Sequence, residues 1–251
     1  MRSLSRSRLG AVAVRGSIGV VALAILVLLT PFSAAATVHA PVIYTAPFVG
    51  KTGVATDLMS VDCKVTGKFT MPPVFNLTTG VESLSEKSTA KSCPSALGYG
   101  YETTAGDAAI WTPAFHGVSG LYHVVVKWKV TWSATLVASL GPTHTGSAHA
   151  SVFLVGILYL YDATNLTYLP ATSSWGAFNV TFNGTLVVHH TAMVTIYLNQ
   201  TVNSTHTYHI ATWIDGSTMS YAASSGPSSA SASLNMGSAG NGAKLLSIVR
   251  S

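Results

Sequence analysis

From residue 59 onward the chain alternates apolar and polar side chains with a period of two. Met59, Val61, Cys63, Val65 and Phe69 are apolar, whereas Ser60, Asp62, Lys64, Thr66 and Lys68 are polar. Such alternation sets one face of a strand against a core and the other in water, with Cys63 pointing inward. In a longer run, the even positions from Tyr122 through Trp128 and Trp132 to Leu140 are apolar, and His123, Lys127, Lys129, Thr131 and Ser133 fall on the other face. That strand exceeds the usual length, so a bend or bulge is expected within it. The stretch from Gly141 to Gly146 turns the chain. Val152 to Tyr161 then returns with both faces apolar, the pattern of a central strand covered on both sides.

Turn dipeptides punctuate the remainder. Asn183-Gly184 is expected to join Trp175 to Phe182 with Thr185 to Leu198, and Asp215-Gly216 to join Thr205 to Ile214 with Ser217 to Ala223, both as two-residue hairpin turns. Asn241-Gly242 is placed before a final strand, Lys244 to Val249; Ala222 to Ala243 resembles a linker by composition, while the alternation from Ser229 to Leu234 reads equally as a small-residue edge strand. About nine or ten strands with short connections and no helical period predict an all-β fold, an antiparallel β-sandwich of jelly-roll or immunoglobulin-like form. Residues 53–251 suffice for one large sandwich; two small ones divided near Pro113 are the alternative.

The N-terminus has the three-part plan of a secretory signal peptide. Arg2, Arg6, Arg8 and Arg15 precede the uncharged run from Ile18 to Leu29, followed by Pro31 and Ala34-Ala35-Ala36. Residues 1–36 are therefore expected to be removed, cleavage after Ala40 being the second choice. Left uncleaved, the uncharged stretch between Gly16 and Gly50 is long enough to anchor the chain in a membrane. Residues 37–52 form an extended segment in which Thr37 to Val49, carrying Pro41 and Pro47, could add as a strand to the sheet edge of a neighbouring subunit.

Export changes the charge balance. The chain has 13 Lys plus Arg and 8 Asp plus Glu; the four leader arginines leave nine basic groups against eight acidic ones. The basic character thus belongs to the leader, and no basic stripe remains for a nucleic acid. With only 8% charged residues, the surface must be built from Ser, Thr, Asn and Gly. So few carboxylates also suggest tolerance of an acidic habitat.

Six of the eight asparagines, Asn76, Asn165, Asn179, Asn183, Asn199 and Asn203, stand in Asn-X-Thr triplets, an excess over chance that points to N-glycosylation of an exported chain. Phe178, Val180 and Phe182 share one strand face and Asn179 and Asn183 the other, so glycans there would project from the core. The two cysteines, Cys63 and Cys93, are expected to form a disulfide.

No residue set makes an active site. The Gly-X-Ser-X-Gly elbow of serine hydrolases is missing. Glu82 and Glu86 read as loop residues, Asp215 as a turn residue and Asp62 as solvent-facing; Glu102 with Tyr99, Tyr101 and Asp107 is the one conceivable acidic cluster. His189, His190, His206 and His209 fall on two strands expected to pair, but simple hairpin register brings no two of them together, so no metal is expected. Tyr159 and Tyr161 share a face with Phe153, Val155 and Ile157, and Trp111, Trp175 and Tyr168 lie near loops where a sugar-stacking platform could sit.

The sequence reading is a noncatalytic exported cell-surface glycoprotein, structural, adhesive or filament-forming, needing no cofactor. Its expected partners are another subunit through sheet edges and a glycan, with a membrane only if the leader is retained. A carbohydrate-binding module is the alternative, and a secreted hydrolase with an unrecognised site is the third.

Overall fold

The structure is a computed structural model that describes residues 40–61, 65–92, 99–142, 146–181, 183–224, 226–237 and 240–251, side chains excepted at 61, 99 and 170–180. The leader, Cys63, Cys93 and Asp62 lie outside the described residues. Among those residues the chain is all β, with two antiparallel sheets and no helix. In chain order the strands are β1 (Val42–Tyr44), β2 (Lys51–Val61), β3 (Thr66–Asn76), β4 (Val81–Lys91), β5 (Tyr99–Trp111), β6 (Phe115–His116), β7 (Gly120–Leu140), β8 (Ser147–Asp162), β9 (Thr167–Thr181), β10 (Gly184–Val202), β11 (Thr207–Ala223), β12 (Ser228–Asn235) and β13 (Gly242–Arg250).

The seven-stranded sheet runs β1-β13-β4-β12-β7-β10 with β3 beside β4, and the six-stranded sheet runs β2-β5-β11-β8-β9 with β6 beside β11. Strands from both sides of Pro113 are interleaved in each sheet, and the inner faces share one apolar cluster. The period-two reading of β7 holds from Tyr122 to Leu140: every even position there is buried, with Trp128 and Trp132 enclosed. Each enclosed side chain of this size contributes about 1.5 to 3 kcal/mol. Trp128 meets Phe75 edge-on at 6.2 Å, and its indole N–H donates to Thr212 Oγ1 at 3.2 Å, so burial leaves its polar atom satisfied.

Several expectations fail for identifiable reasons. The alternation from Met59 to Phe69 does not form one strand: β2 ends at Val61 in one sheet and β3 begins at Thr66 in the other. Met59 is exposed, because β2 is an edge strand with little packed on either face. Neither Asn183-Gly184 nor Asp215-Gly216 closes a hairpin. The first lies between β9 and β10, which belong to different sheets, so the chain crosses the sandwich there. The second lies inside β11, where a Cβ on Gly216 would come within 2.8 Å of Leu234 Cδ2. This glycine answers a close approach of the facing sheet, not a reversal.

The Ser/Ala strand β12 is interior, between β4 and β7. Its small side chains let Ser220 of the other sheet reach it: Ser220 Oγ accepts the Ala232 N–H at 3.1 Å and lies 2.8 Å from Ser88 Oγ. The N-terminal segment is used within its own chain, β1 pairing with β13 and Phe48 buried beside Phe75.

Candidate functional site

The outer face of the six-stranded sheet carries a row of rings. The odd positions of β8 and β11 and the outward positions of β5 place Trp111, Tyr159, Tyr161, His209, Trp213 and Tyr221 there, all half-buried, and Tyr168 at the start of β9 stands 50% exposed. Tyr161 faces His209 across the β8–β11 ladder and Tyr168 across the β8–β9 ladder. Trp111 meets Tyr161 at 5.2 Å and Tyr168 at 5.8 Å, both nearly perpendicular. Tyr168 in turn meets Tyr159 at 5.3 Å, and Tyr159 stacks on Trp213 at 5.0 Å. Trp111, Tyr161, Tyr168, Tyr159 and Trp213 therefore form one continuous path. Strand β8 was expected to be covered on both faces; one face is core, while the other is this row, with Phe153 43% exposed.

Two cavities open along the path. One, of about 330 Å³, is lined by Lys51, Thr52, Trp111, Tyr161, Tyr168 and His209. His209 Nδ1 lies 2.8 Å from the Thr112 carbonyl oxygen; a carbonyl only accepts, so Nδ1 carries the hydrogen and Nε2 is left for a ligand. The other cavity, of about 310 Å³, is lined by residues that include Asp57, Asp107, Trp213 and Asp215.

The second cavity marks a break in the ladder. Pairing of β5 with β11 holds at Thr212 with Ile110 and again at Gly216 with Gly106, and lapses between. There Glu82 enters from β4 of the facing sheet: its Oε1 accepts the Ala108 N–H at 3.1 Å and its Oε2 the Ile214 N–H at 3.0 Å. The two N–H groups that an unbroken ladder would direct to opposing carbonyls are satisfied by a side chain. Burial pushes Glu82 well above the ordinary carboxylate range even though both N–H bonds favour the charged form. Asp107 and Asp215 lie on the outer side of the same break; burial, with Asp215 nearby, raises Asp107 to about 6, and burial raises Asp215 as well. Glu86, enclosed and without a hydrogen-bond partner for either oxygen among the described residues, is raised by burial to about 10.

These placements revise the sequence reading of the acids. Glu82 and Glu86 are strand residues of the core, and Asp215 is mid-strand. Glu102 does not join Asp107, since it points inward, where it takes a hydrogen bond from Ser60, while Asp107 points outward. The histidines are separated because β10 pairs with β7, not with β11: His189 and His190 lie on one sheet, His209 on the other and His206 just ahead of it. His206 Nδ1 instead sits 2.7 Å from Asp162 Oδ2. Burial opposes ionisation of Asp162, but the Asn165 and Thr164 N–H groups and His206 outweigh it and hold the carboxyl below its ordinary value. Among the described residues no group of three or more His, Cys, Asp or Glu is arranged to hold a metal ion.

Of the sequons, Asn76, Asn165, Asn183, Asn199 and Asn203 are exposed; the side chain of Asn179 lies outside the description. Their carbonyl oxygens are engaged at Asn76, Asn183 and Asn203, which accept from Thr78, Leu140 and Thr205 N–H groups at 2.9, 2.6 and 3.0 Å. None of these five lies on the strands β2, β5, β8, β9 or β11 that line the two cavities, although Asn165 is in the turn just ahead of β9.

Sequence reasoning picked out Tyr159, Tyr161, Tyr168, Trp111 and Trp175, the last with its side chain outside the description, but missed Trp213 and His209 as neighbours of the others. The sequence of β11 carries little signal for them, since apolar residues fall at both its odd and its even positions; the alternation shows only in burial, and is interrupted at Ala211.

No family model matches the chain, and no curated protein matches it. Among solved structures it is similar to the enzymatically active domain of tailspike protein 4 of bacteriophage CBA120, at 11% identity over 76% of this chain and 19% of that one, with a TM-score of 0.18. The chain thus spans 19% of that protein's length. It is also similar to TmCBM61, solved in complex with beta-1,4-galactotriose, at 10% identity over 73% of this chain and 86% of that one, with a TM-score of 0.17. At such scores the likeness carries no argument about fold or function.

Proposed function

We propose that the chain is a noncatalytic, exported cell-surface glycoprotein module with an adhesive role, binding a glycan on the outer face of its six-stranded sheet. The observation that supports this most is the continuous path of half-exposed rings from Trp111 to Trp213. A contiguous patch of half-exposed rings marks a binding surface more than scattered ones would, and a flat aromatic face suits the C–H face of a sugar while adjacent polar groups orient its hydroxyls. The hydroxyl of Thr52, His209 Nε2 and the carboxyls of Asp57, Asp107 and Asp215 would supply those groups. The sequon asparagines that lie off these strands would carry the chain's own sugars elsewhere.

Isothermal titration with neutral and charged oligosaccharides tests the reading. Trp213→Ala, which removes one ring of the stacked pair without touching the core, is expected to weaken binding about thirtyfold, and the bound oligosaccharide is expected to be recovered intact. Unchanged affinity in Trp213→Ala would remove the proposed site, and shortened oligosaccharide would remove the noncatalytic part.

A further inference from the structure

Resting on the glycan-binding reading, we infer that the Lys51–His209 end of the ring path selects a sugar bearing an anionic group, a carboxylate or a sulfate ester. The six residues that line this cavity are Lys51, Thr52, Trp111, Tyr161, Tyr168 and His209; none of them is a carboxylate. Lys51 is exposed at the start of the edge strand β2, where its ammonium is free to meet a ligand. His209 is fixed by its Nδ1 bond to Thr112, which leaves Nε2 to accept from a sugar hydroxyl beside the anionic group.

The outward carboxylates of this sheet are kept apart from this end, and Asp162, next to Tyr161, is buried on the other face, where it is paired with His206. Asp57 is six residues along β2 from Lys51, and Asp215 six residues along β11 from His209, about 20 Å in each case. Asp107 is four residues along β5 from Trp111, about 13 Å. The groove is therefore electrically asymmetric, cationic at one end and acidic at the other, with the Tyr159–Trp213 stack between. An anionic sugar is attracted at the first end and repelled at the second, which fixes both where it sits and which way the chain runs. Aromatic rings alone would also suit a quaternary ammonium, but the Lys51 ammonium would repel one at this end.

Oligogalacturonate, its methyl ester and a sulfated galactan, titrated into the full chain at one pH and low salt, test this. The oligogalacturonate or the sulfated galactan is expected to bind at least tenfold more tightly than the ester. Lys51→Gln should bring the anionic ligand to within about twofold of the ester, weakening it at least fivefold more than it weakens the ester, and Lys51→Arg should keep the preference. Carboxylate and sulfate are separated by which of the two ligands gains. Equal affinity for charged and neutral ligands, or an equal loss of both in Lys51→Gln, overturns this inference alone; absence of binding by every oligosaccharide overturns the glycan-binding reading with it.

Discussion

Replacing Glu82 with leucine is expected to lower the unfolding free energy by about 3 to 5 kcal/mol, because two enclosed backbone N–H groups lose their acceptor. The carboxyl bridges the two sheets, accepting from Ala108 on β5 and Ile214 on β11 where those strands do not pair. Glu82→Gln keeps one acceptor oxygen and should lose roughly half as much. Glu86 provides the contrast. It occupies the same strand face two turns of the pleat away but makes no hydrogen bond among the described residues, so Glu86→Leu should be neutral or stabilising. Urea denaturation of the three variants distinguishes these outcomes. Equal losses at both positions, or a loss below about 1 kcal/mol in Glu82→Leu, would contradict the bridging role.

The second large effect is in pH. Glu82, Glu86, Asp107 and Asp215 all have folded-state values above their ordinary ones, Asp107 at about 6 and Glu86 at about 10. A raised acid holds its proton longer in the folded than in the unfolded chain, so its contribution is complete below the unfolded value and is lost as pH rises. Stability should therefore be greatest near the ordinary carboxylate range and decline upward, first through about pH 6 as Asp107 ionises and then steadily towards pH 10 on account of Glu86. Between pH 4.5 and pH 7 Glu86 alone accounts for a change on the order of 3 kcal/mol. Two groups act the other way. Burial holds His149 below its ordinary value and Asp162 is held low by its hydrogen bonds, so their contributions fade as pH falls. The net expectation is a melting temperature higher at pH 5 than at pH 8, with Glu86→Gln flattening the slope above pH 7. A melting temperature higher at pH 8 would show that the enclosed acids do not govern the balance. The low charge content alone suggested tolerance of acid; the structure supplies a gain from it.

The parts of the fold legible in the sequence were those governed by one strand's own period. The even positions of β7 alternate because one face meets the core and the other water, and nothing nonlocal is needed to see it. What stayed hidden depends on two strands meeting. Gly216 resembles a turn residue from its neighbours, whereas its cause is Leu234 on the facing sheet. Glu82 lies in a stretch rich in Ser, Thr and Lys that resembles a loop, and only the break between β5 and β11 explains why a carboxyl is enclosed there. The site was half legible for the same reason. The apolar second face of β8 was visible, but burial and ligand contact leave the same trace in a sequence, and only the sheet order shows which face has nothing packed on it.

Hydroxyl-radical footprinting of the chain with and without a saturating oligosaccharide tests the central claim most directly, since it reports ring by ring. Tyr159, Tyr161, Tyr168, Trp111 and Trp213 should be protected by the ligand, while Tyr197 and Met193, exposed on β10 of the other sheet, should oxidise as before. Protection of Tyr197 and Met193 with the five rings unchanged would contradict it.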